Sequence, residues 1–514
     1  MKQRLLRACR RLVLGLGLTS LVASPLSATW SIVAVDTATG EVVVATATCL
    51  NNFDIQDAVP VIAVGYGAAA TQALLNSTGS NKPLIVDGLH NGLSPQEILD
   101  VIEQADSGWQ QRQFGVVDFF HEPAAHTGNA AGQGKKHETG VIGTIRYSIQ
   151  GNVLAGAKVV QGIENAFKAP APGADLGQRV MEAMEAGRFW GGDGRCSCSA
   201  LNPTNCGVPP ASFTKSAHCA TIVLARFGDT DGGCNGAVGC ADGNYYLNLN
   251  VIGSTADPDP VIELQSMYDA WRQTMLGHPD HIRTEVVASA SSLPADGLTP
   301  AFFTIHPKDV DGNPIAGGGA TVTVSRVGGG PFFAAPSLVF ANPDGSYTFS
   351  VTAGTQPGMD EYEIVIDDGT TVATLYPYPS MAVEPAGSLH AGLSAFSASA
   401  GAEVHFVTNA GAAAGDRPYI LLGSSAGTAP GIPLGFQTVP LNPDPFLDFT
   451  ILGAGPPVLP GSIGVTDANG RADAWLVAAP GAFLPGVGLH LDFATVVLGP
   501  PETITQTVGV DVLP

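Results

Sequence analysis

Thr29-Trp-Ser-Ile-Val-Ala-Val-Asp36 and Glu41-Val-Val-Val-Ala-Thr-Ala-Thr-Cys49 are joined by Thr37-Ala-Thr-Gly40, and their reading decides the fold of the first half of the chain. Both runs are rich in β-branched residues, and the four-residue connection ends in Gly, so the stretch predicts a β-hairpin. Downstream, Ser94-Pro-Gln-Glu97 is a capping box with Pro at the first helical position. It opens a helix through about Ala105 with Ile98, Val101 and Ile102 on one face. Gly156–Phe167 and Asp175–Ala186 predict two more helices, and Pro260–Met275 a last amphipathic one whose core side is Ile262, Leu264, Met267, Tyr268 and Trp271. Phe114–Phe119, Thr144–Ile149, Ala220–Arg226 and Tyr245–Val251 read as strands. A hairpin followed by helices and then further strands indicates an α+β domain over residues 29–280 rather than a doubly wound sheet.

Upstream of the hairpin lies the three-part pattern of an export signal. Lys2, Arg4, Arg7, Arg10 and Arg11 form a basic n-region, and Leu12–Val22 is an apolar run too short to span a bilayer. Leu26-Ser-Ala28 then offers a small residue before a cut, with Ala23 as a competing site. Residues 1–28 are therefore expected to leave as a signal peptide, placing the mature chain outside the cytoplasm, secreted or periplasmic. No later stretch is long and apolar enough for a transmembrane segment. The formal charge of −22 becomes −27 once the five basic signal residues are removed. Such a surface repels phosphate backbones, which argues against nucleic acid as a partner.

Cysteine usage fits the same compartment. Cys9 belongs to the signal, and six of the remaining seven (Cys196, Cys198, Cys206, Cys219, Cys234, Cys240) cluster in a Gly-, Pro- and Ser-rich segment. That predicts a disulfide-stapled loop among these six, with Cys49 as the odd thiol. The alternative is a zinc site from Cys196, Cys198, Cys206 and His218, although the spacing lacks paired C-x-x-C knuckles.

After Gly277-His-Pro-Asp280 the texture changes. Residues 281–384 alternate in short runs (Thr284–Ala288, Ala301–Ile305, Ala320–Val327, Ser346–Val351, Glu361–Ile366) separated by turn signals such as Asp311-Gly-Asn-Pro314, the pattern of a β-sandwich. Together with Ser291-Ser-Leu-Pro-Ala-Asp-Gly297 and Asp344-Gly-Ser-Tyr347, this segment resembles bacterial Ig-like domains of the invasin type. Residues 385–514 begin again at Ser388-Leu-His-Ala and carry Tyr419-Ile-Leu-Leu-Gly-Ser-Ser and Asp467-Ala-Asn-Gly-Arg471. They resemble the C-terminal β-sandwich domain appended to secreted planctomycete proteins.

The first half carries a more specific set of motifs. Trp30-Ser-Ile-Val-Ala-Val-Asp36, Ala70-Thr-Gln-Ala73, Arg112-Gln-Phe-Gly-Val-Val-Asp118, Ala125-His-Thr-Gly128, Gln150-Gly-Asn-Val-Leu-Ala-Gly156 and Gly191-Gly-Asp193 follow one another in that order. Over about residues 29–275 this resembles the domain of unknown function 1028 family, grouped with the N-terminal-nucleophile (Ntn) hydrolases. The resemblance implies a four-layer αββα fold and amide-bond hydrolysis. It also draws attention to Thr29, the residue exposed by a cut after Ala28. An N-terminal threonine supplies both a hydroxyl nucleophile and an α-amine whose ordinary pKa of about 7.7–8.0 lets it act as base near neutrality. Ser31, on the same side of an alternating strand, is a second candidate.

Asp36, Asn152, Asp193 and Arg195 are candidate helpers: Asn152 as an oxyanion-hole amide, the Asp193–Arg195 pair as an orienter of a substrate carboxylate or of the Thr29 amine. The bland readings are a loop cap for Asp36, a turn for Gln150-Gly-Asn152, and a structural ion pair for Asp193–Arg195. His126 reads as a satisfied structural histidine before a proton shuttle, and Thr46, Thr48 and Thr71 as strand or turn residues. The family pattern runs from Gly-Gly-Asp through Arg almost directly into a Ser-Ala strand, whereas here Arg195 precedes the cysteine-rich insertion and Lys215-Ser-Ala217 follows it.

Two other motifs point elsewhere. Gly423-Ser-Ser-Ala-Gly427, with Asp467 and His490 beyond it, matches G-x-S-x-G, but Thr428-Ala-Pro-Gly-Ile-Pro433 opposes the helix that a nucleophile elbow needs, so a turn is expected. Asp229-Thr-Asp231-Gly-Gly-Cys-Asn235 begins like a calcium loop, yet its twelfth position is Cys240 rather than Glu. The reading therefore calls for no cofactor and no metal. It leaves two functions: a secreted Ntn-type amidohydrolase acting on a small peptide or N-acyl substrate, or a non-catalytic extracellular binding or surface protein that retains the fold.

Overall fold

The structure is a computed structural model, and its described residues are 29–76, 78–204, 206–235, 239–290, 292–295, 299–328, 332–354, 356–385, 387–452, 458–500 and 502–514. The expected signal segment, residues 1–28, lies outside them. The chain divides into two compact units, one ending at Trp271 and the other running Arg272–Pro514.

The expected hairpin forms as β1 (Thr29–Asp36) and β2 (Glu41–Thr48). Asp36 Oδ1 accepts the Ala38 N–H and Gly40 takes a positive φ of 71°, which together close the turn. Around this pair grows the first sheet, completed by β7 (Lys136–Ile142), β8 (Ile145–Asn152), β9 (Cys219–Ala225) and β10 (Leu247–Ile252), in the order β10-β9-β2-β1-β8-β7 with every pairing antiparallel. A second antiparallel sheet contains β3 (Pro60–Ala63), β4 (Gly67–Ala73), β5 (Arg112–Asp118) and β6 (Ala124–Thr127) in sequence order.

The helices are α1 (Ile55–Ala58), α2 (Asn81–His90), α3 (Pro95–Ala105), α4 (Lys158–Lys168), α5 (Leu176–Phe189), α6 (Gly194–Ser197) and α7 (Pro260–Thr274). The capping box at α3 is complete: Ser94 caps the Glu97 N–H and the Glu97 carboxylate returns to the Ser94 N–H. The buried face of α3 is Ile98, Leu99 and Ile102, while Val101 is exposed. The expected stripe was thus turned by one residue, because the i, i+1, i+4 set fits the helix against its neighbour as well as i, i+3, i+4 does. On α7, Val261, Leu264 and Tyr268 are buried and Ile262 is exposed, contrary to the expectation for Ile262.

Alternation along β1 separates the cores of this unit. Trp30, Ile32 and Ala34 join Ile163 and Phe167 of α4, Val180 and Met184 of α5, and Leu264 and Tyr268 of α7. On the opposite face, Val33 and Val35 join Val42 and Val44 of β2 and meet Ile62, Ala68, Ala70 and Val117 of the second sheet. The far face of that sheet, with Val61, Ala69 and Val116, is covered by Ile85 and Leu89 of α2 and Ile98 and Ile102 of α3. Each fully buried aliphatic side chain contributes about 1.5–3 kcal/mol.

The second unit is β-rich. Strands Glu285–Ala288, Pro300–His306, Phe340–Ala341 and Tyr347–Thr352 form one sheet, and Ser292–Pro294, Thr321–Val327, Gly358–Asp367, Val372–Thr374 and Ser380–Glu384 another. Phe303 and Phe349 stack at 4.8 Å beside Tyr362 in their shared core. A separate core gathers Phe406, Leu476, Leu491, Phe493 and Val510 from strands between residues 388 and 513. The five strands expected between residues 284 and 366 all occur, with ends displaced by a few residues.

Candidate functional site

The inner face of the first sheet changes character towards Thr29. Register places Thr29 opposite Thr48 and Asn152, and Ser31 opposite Thr46 and Gln150. Residues directly opposite in antiparallel strands share a face, so one polar patch spans β8, β1 and β2. The other sheet answers with Gln72 of β4 and Gln113 of β5. Ser31 Oγ lies 2.5 Å from Gln72 Oε1 and 2.9 Å from Thr46 Oγ1, and the Thr46 hydroxyl donates to the Trp30 carbonyl. The Gln72 amide sits 3.0 Å from the Thr29 carbonyl oxygen, 2.8 Å from Gln113 Oε1 and 3.4 Å from Asn152 Oδ1. Gln113 Nε2 reaches Thr127 Oγ1 and the carbonyls of Lys136 and Gly151. Ser31, Thr46, Gln113 and Asn152 have no solvent exposure, so these contacts replace hydration that the groups have lost. The sheets approach closely here because β5 carries Gly115: a Cβ at that position would come 2.2 Å from Gln150 Oε1.

The Gly191–Arg195 segment borders the same strand end. Gly192 has φ of 49°, and a Cβ on it would lie 2.6 Å from the Trp30 ring, so both conformation and space require glycine. Asp193 caps the short α6 and is fully buried. Its Oδ2 accepts from Arg195 Nη2 at 2.7 Å and from the Cys49 N–H at 2.7 Å, and its Oδ1 from Arg195 Nε and N. Burial pushes this carboxyl up, against the opposing pull of Arg195 and the two backbone donors. Arg195 Nη2 also approaches Thr48 Oγ1, the register partner of Thr29, at 3.4 Å. The cysteine-rich insertion therefore leaves Arg195 on Asp193, and a Cys49–Cys196 disulfide ties the end of β2 to α6 beside that pair. His218 Nδ1 lies 3.2 Å from the Cys49 carbonyl oxygen, and burial, then Lys215, hold its pKa below the ordinary value.

Residues 29–201 match the family model described as Family of unknown function (DUF1028). The N-terminal region carries a DUF1028 domain. Protein SPO2555 from Silicibacter pomeroyi, a crystal structure titled with the same family, is 19% identical over 48% of this chain and 89% of that one, with a TM-score of 0.34. Residues 280–375 match the model for Invasin, domain 3. Two further similar structures are the Yersinia pseudotuberculosis adhesin InvE (17% identical, 46% of this chain and 60% of that one, TM-score 0.17) and the crystal structure titled as invasin, a bacterial integrin-binding protein (11%, 94% and 79%, 0.17). No curated protein matches the chain.

Within the DUF1028 domain, Thr29, Ser31, Asn152, Asp193 and Arg195 lie at one end of the first sheet. Asp36 does not join them, since it ends the same strand at the hairpin turn, opposite Glu41 and Ile145. Thr71 donates towards the carbonyls of Ala58 and Val59, and His126 stacks on Trp109 at 3.5 Å with Nε2 3.1 Å from the Trp109 carbonyl oxygen. Burial lowers the His126 pKa.

Among the described residues the cysteines pair as Cys49–Cys196, Cys198–Cys206 and Cys234–Cys240, leaving Cys219 as a buried free thiol. This corrects the expectation that Cys49 stands alone, and it disperses the alternative zinc set. Asp229 accepts the N–H groups of Arg226 and Tyr246 and Asp231 that of Val64, so these carboxylates serve the backbone rather than one calcium loop. In the second unit Ser425 pairs with Asp444, and His490 with Asp511, so the G-x-S-x-G residues form no triad with Asp467.

The expected list omitted Gln72, Gln113 and Ser148. Their signal was present as amides and a hydroxyl at inward positions of strands where alternation calls for apolar residues.

Proposed function

We propose that this chain is an extracytoplasmic binding or surface protein in which a DUF1028 domain precedes Ig-like β-domains. The observation that carries this reading is the invasin-domain match at residues 280–375, downstream of the DUF1028 match at residues 29–201. Three disulfides suit an oxidising compartment, and no helix of the described residues is long and apolar enough to cross a membrane. In this reading residues 1–28 are a signal peptide, 29–280 the N-terminal domain, 281–384 an Ig-like sandwich and 385–514 a second sandwich. Labelling intact producing cells with a membrane-impermeant amine reagent, followed by N-terminal sequencing, tests it. Labelled or released chain beginning at or near Thr29 supports the proposal, and a full-length, unlabelled cytoplasmic chain with reduced cysteines sinks it.

The polar patch at Thr29 favours a second reading, an Ntn-type amidohydrolase. The succession of helices, sheet, sheet and helices supports the αββα layering this class requires. Once the Ala28–Thr29 bond is cut, the freed amine takes the hydroxyl proton as Thr29 Oγ1 adds to an amide carbonyl. The protonated amine then passes that proton to the departing amine, and water hydrolyses the threonyl ester. Asn152 would donate to the oxyanion, and Arg195, fixed by Asp193, would orient a substrate carboxylate. Ser31 is the reserve nucleophile. Amine release from small peptides and N-acyl amino acids by the mature chain, lost in Thr29→Ala with folding retained, supports this reading; turnover unchanged in that variant removes it.

A further inference from the structure

A cavity of about 340 Å³ opens beside α2, with Thr71, Gln72, Phe114, Phe53, Asn81 and Lys82 in its wall. We infer that it binds a small monocarboxylate with an apolar body, whose charge is received by Lys82 and the N-terminus of α2.

Lys82 is only 7% exposed, and among the described residues its ammonium donates to a single acceptor, the Asp57 carbonyl. An ammonium carries three donors, so its hydrogen-bonding capacity is largely unspent in a wall of the cavity. It also occupies an adverse position. The first turn of α2 contains no acidic residue and Ser80 supplies no side-chain cap, so a cation sits at the positive end of the helix dipole. Burial and the dipole both disfavour the charge there, and a bound anion would relieve both.

The surrounding charges limit that anion to a single negative charge. Arg112, also in the wall, is already bound to Asp106 at 2.8 Å, and Asn81 Nδ2 donates to the same carboxylate. Burial raises the Asp106 pKa, but Arg112, Asn81 and the Gly108 N–H outweigh it and hold it at about 2, so this pair stays neutralised and closed. Asp54 caps α1. Asp57 is exposed and offers Lys82 only partial compensation. Lys82 and the helix terminus are therefore what the cavity offers an anion, in a wall that also holds Asp54, engaged by the α1 N–H groups and Asn250, and the exposed Asp57, while Phe53, Leu74 and Phe114 offer apolar surface for the rest of the ligand. The volume suits a molecule the size of an acylated amino acid. The cavity shares Gln72 with the polar patch, but the inference concerns binding alone and holds whether or not Thr29 is catalytic.

Titration calorimetry of the full mature chain with N-acetyl-L-leucine, N-acetyl-L-leucinamide and inorganic phosphate tests it. The acid should bind about tenfold or more tightly than the amide, the difference expected for one charge-assisted contact. Lys82→Met should abolish that preference and Lys82→Arg should largely keep it. Equal binding of acid and amide, binding of phosphate in place of the acid, no binding of any of the three, or an undiminished preference in Lys82→Met would each overturn the proposal. The wild-type comparison decides by itself if Lys82→Met does not fold.

Discussion

The layer between the two sheets of the N-terminal domain has two ends built on different terms. Towards Asp36, Val33, Val35, Val42 and Val44 meet Ile62, Ala68, Ala70 and Val117 in a purely aliphatic contact. Towards Thr29, Ser31 of β1 and Thr46 of β2, with Asn152 of β8, face Gln72 and Gln113, buried to the same degree. Valine burial stabilises with no partner required, whereas a buried amide costs about 2–7 kcal/mol unless it is hydrogen-bonded, and then returns a net of only about 1 kcal/mol. Aliphatic residues would hold the Thr29 end together more cheaply, and the chain shows at Asp36 that they fit this geometry. Polarity at Thr29 is thus a departure from what stability asks, and departures of this kind mark positions occupied for another reason.

The polar end is reinforced from outside by a disulfide between distant parts of the chain. The Cys49–Cys196 disulfide closes a separation of 147 residues, while Cys198–Cys206 closes 8. On loop entropy the first should stabilise by about 5 kcal/mol and the second by about 2.6 kcal/mol. Replacing both Cys49 and Cys196 by Ser should therefore lower the denaturant midpoint of the N-terminal unit roughly twice as far as the corresponding Cys198/Cys206 change. Equal losses would mean that the first bridge does not organise the Thr29 end.

Next in size is Asp193→Ala. It strands the Arg195 guanidinium and the Cys49 N–H, both of which lean on one buried carboxylate. Breaking a buried pair from one side costs about 3–5 kcal/mol. Asp193→Asn keeps the shape but loses the charge and should fall between this variant and wild type. A loss below 1 kcal/mol in Asp193→Ala, read by chemical denaturation, would show that the pair is dispensable to the fold and leave only a functional account of it.

These two ends also differ in how far the sequence announced them. The hairpin of β1 and β2 was legible because Val and Ile crowd both strands and a short Gly-ended turn joins them. The α3 capping box was legible because its side chains bond their own backbone. By contrast β4, Gly67–Ala73, consists of Gly, Ala, Thr and Gln, and lacks the β-branched signal of a strand. Small residues suit it for a reason that no local pattern reports, since the facing sheet comes close enough at Gly115 to exclude a methyl group. Thr29 was singled out from the expected signal cut, Ser31 from strand alternation, and Asn152, Asp193 and Arg195 from motifs, and they do share one strand end. Asp36 was singled out on the same basis and lies at the other, because adjacency to a motif says nothing of which end of an eight-residue strand a residue occupies. Gln72 and Gln113 sat inside quoted motifs and were passed over, as an isolated amide in a strand carries no mark of its partner on another sheet. The pairing of Cys49 with Cys196 across 147 residues is of the same kind.

The smallest expected effect gives the sharpest comparison of the two ends. Ser148 Oγ donates to Gln150 Oε1 at 2.7 Å, while Gln150 Nε2 is buried with no partner among the described residues. Ser148→Ala alone leaves the whole Gln150 amide unsatisfied and should cost about 1–3 kcal/mol. Gln150→Met removes the orphan donor together with the acceptor, and methionine has nearly the length and volume of glutamine. The double variant therefore trades a half-satisfied polar pair for an apolar contact like the one at the Asp36 end, and it should melt within about 1 kcal/mol of wild type or above it. Additive losses in this cycle would mean that the polar pair stabilises the sheets and that the Thr29 end is polar for structural reasons. A strongly favourable coupling between the two substitutions, with any binding or turnover at Thr29 lost, would mean that this end gives up stability to keep the polar surface its function uses.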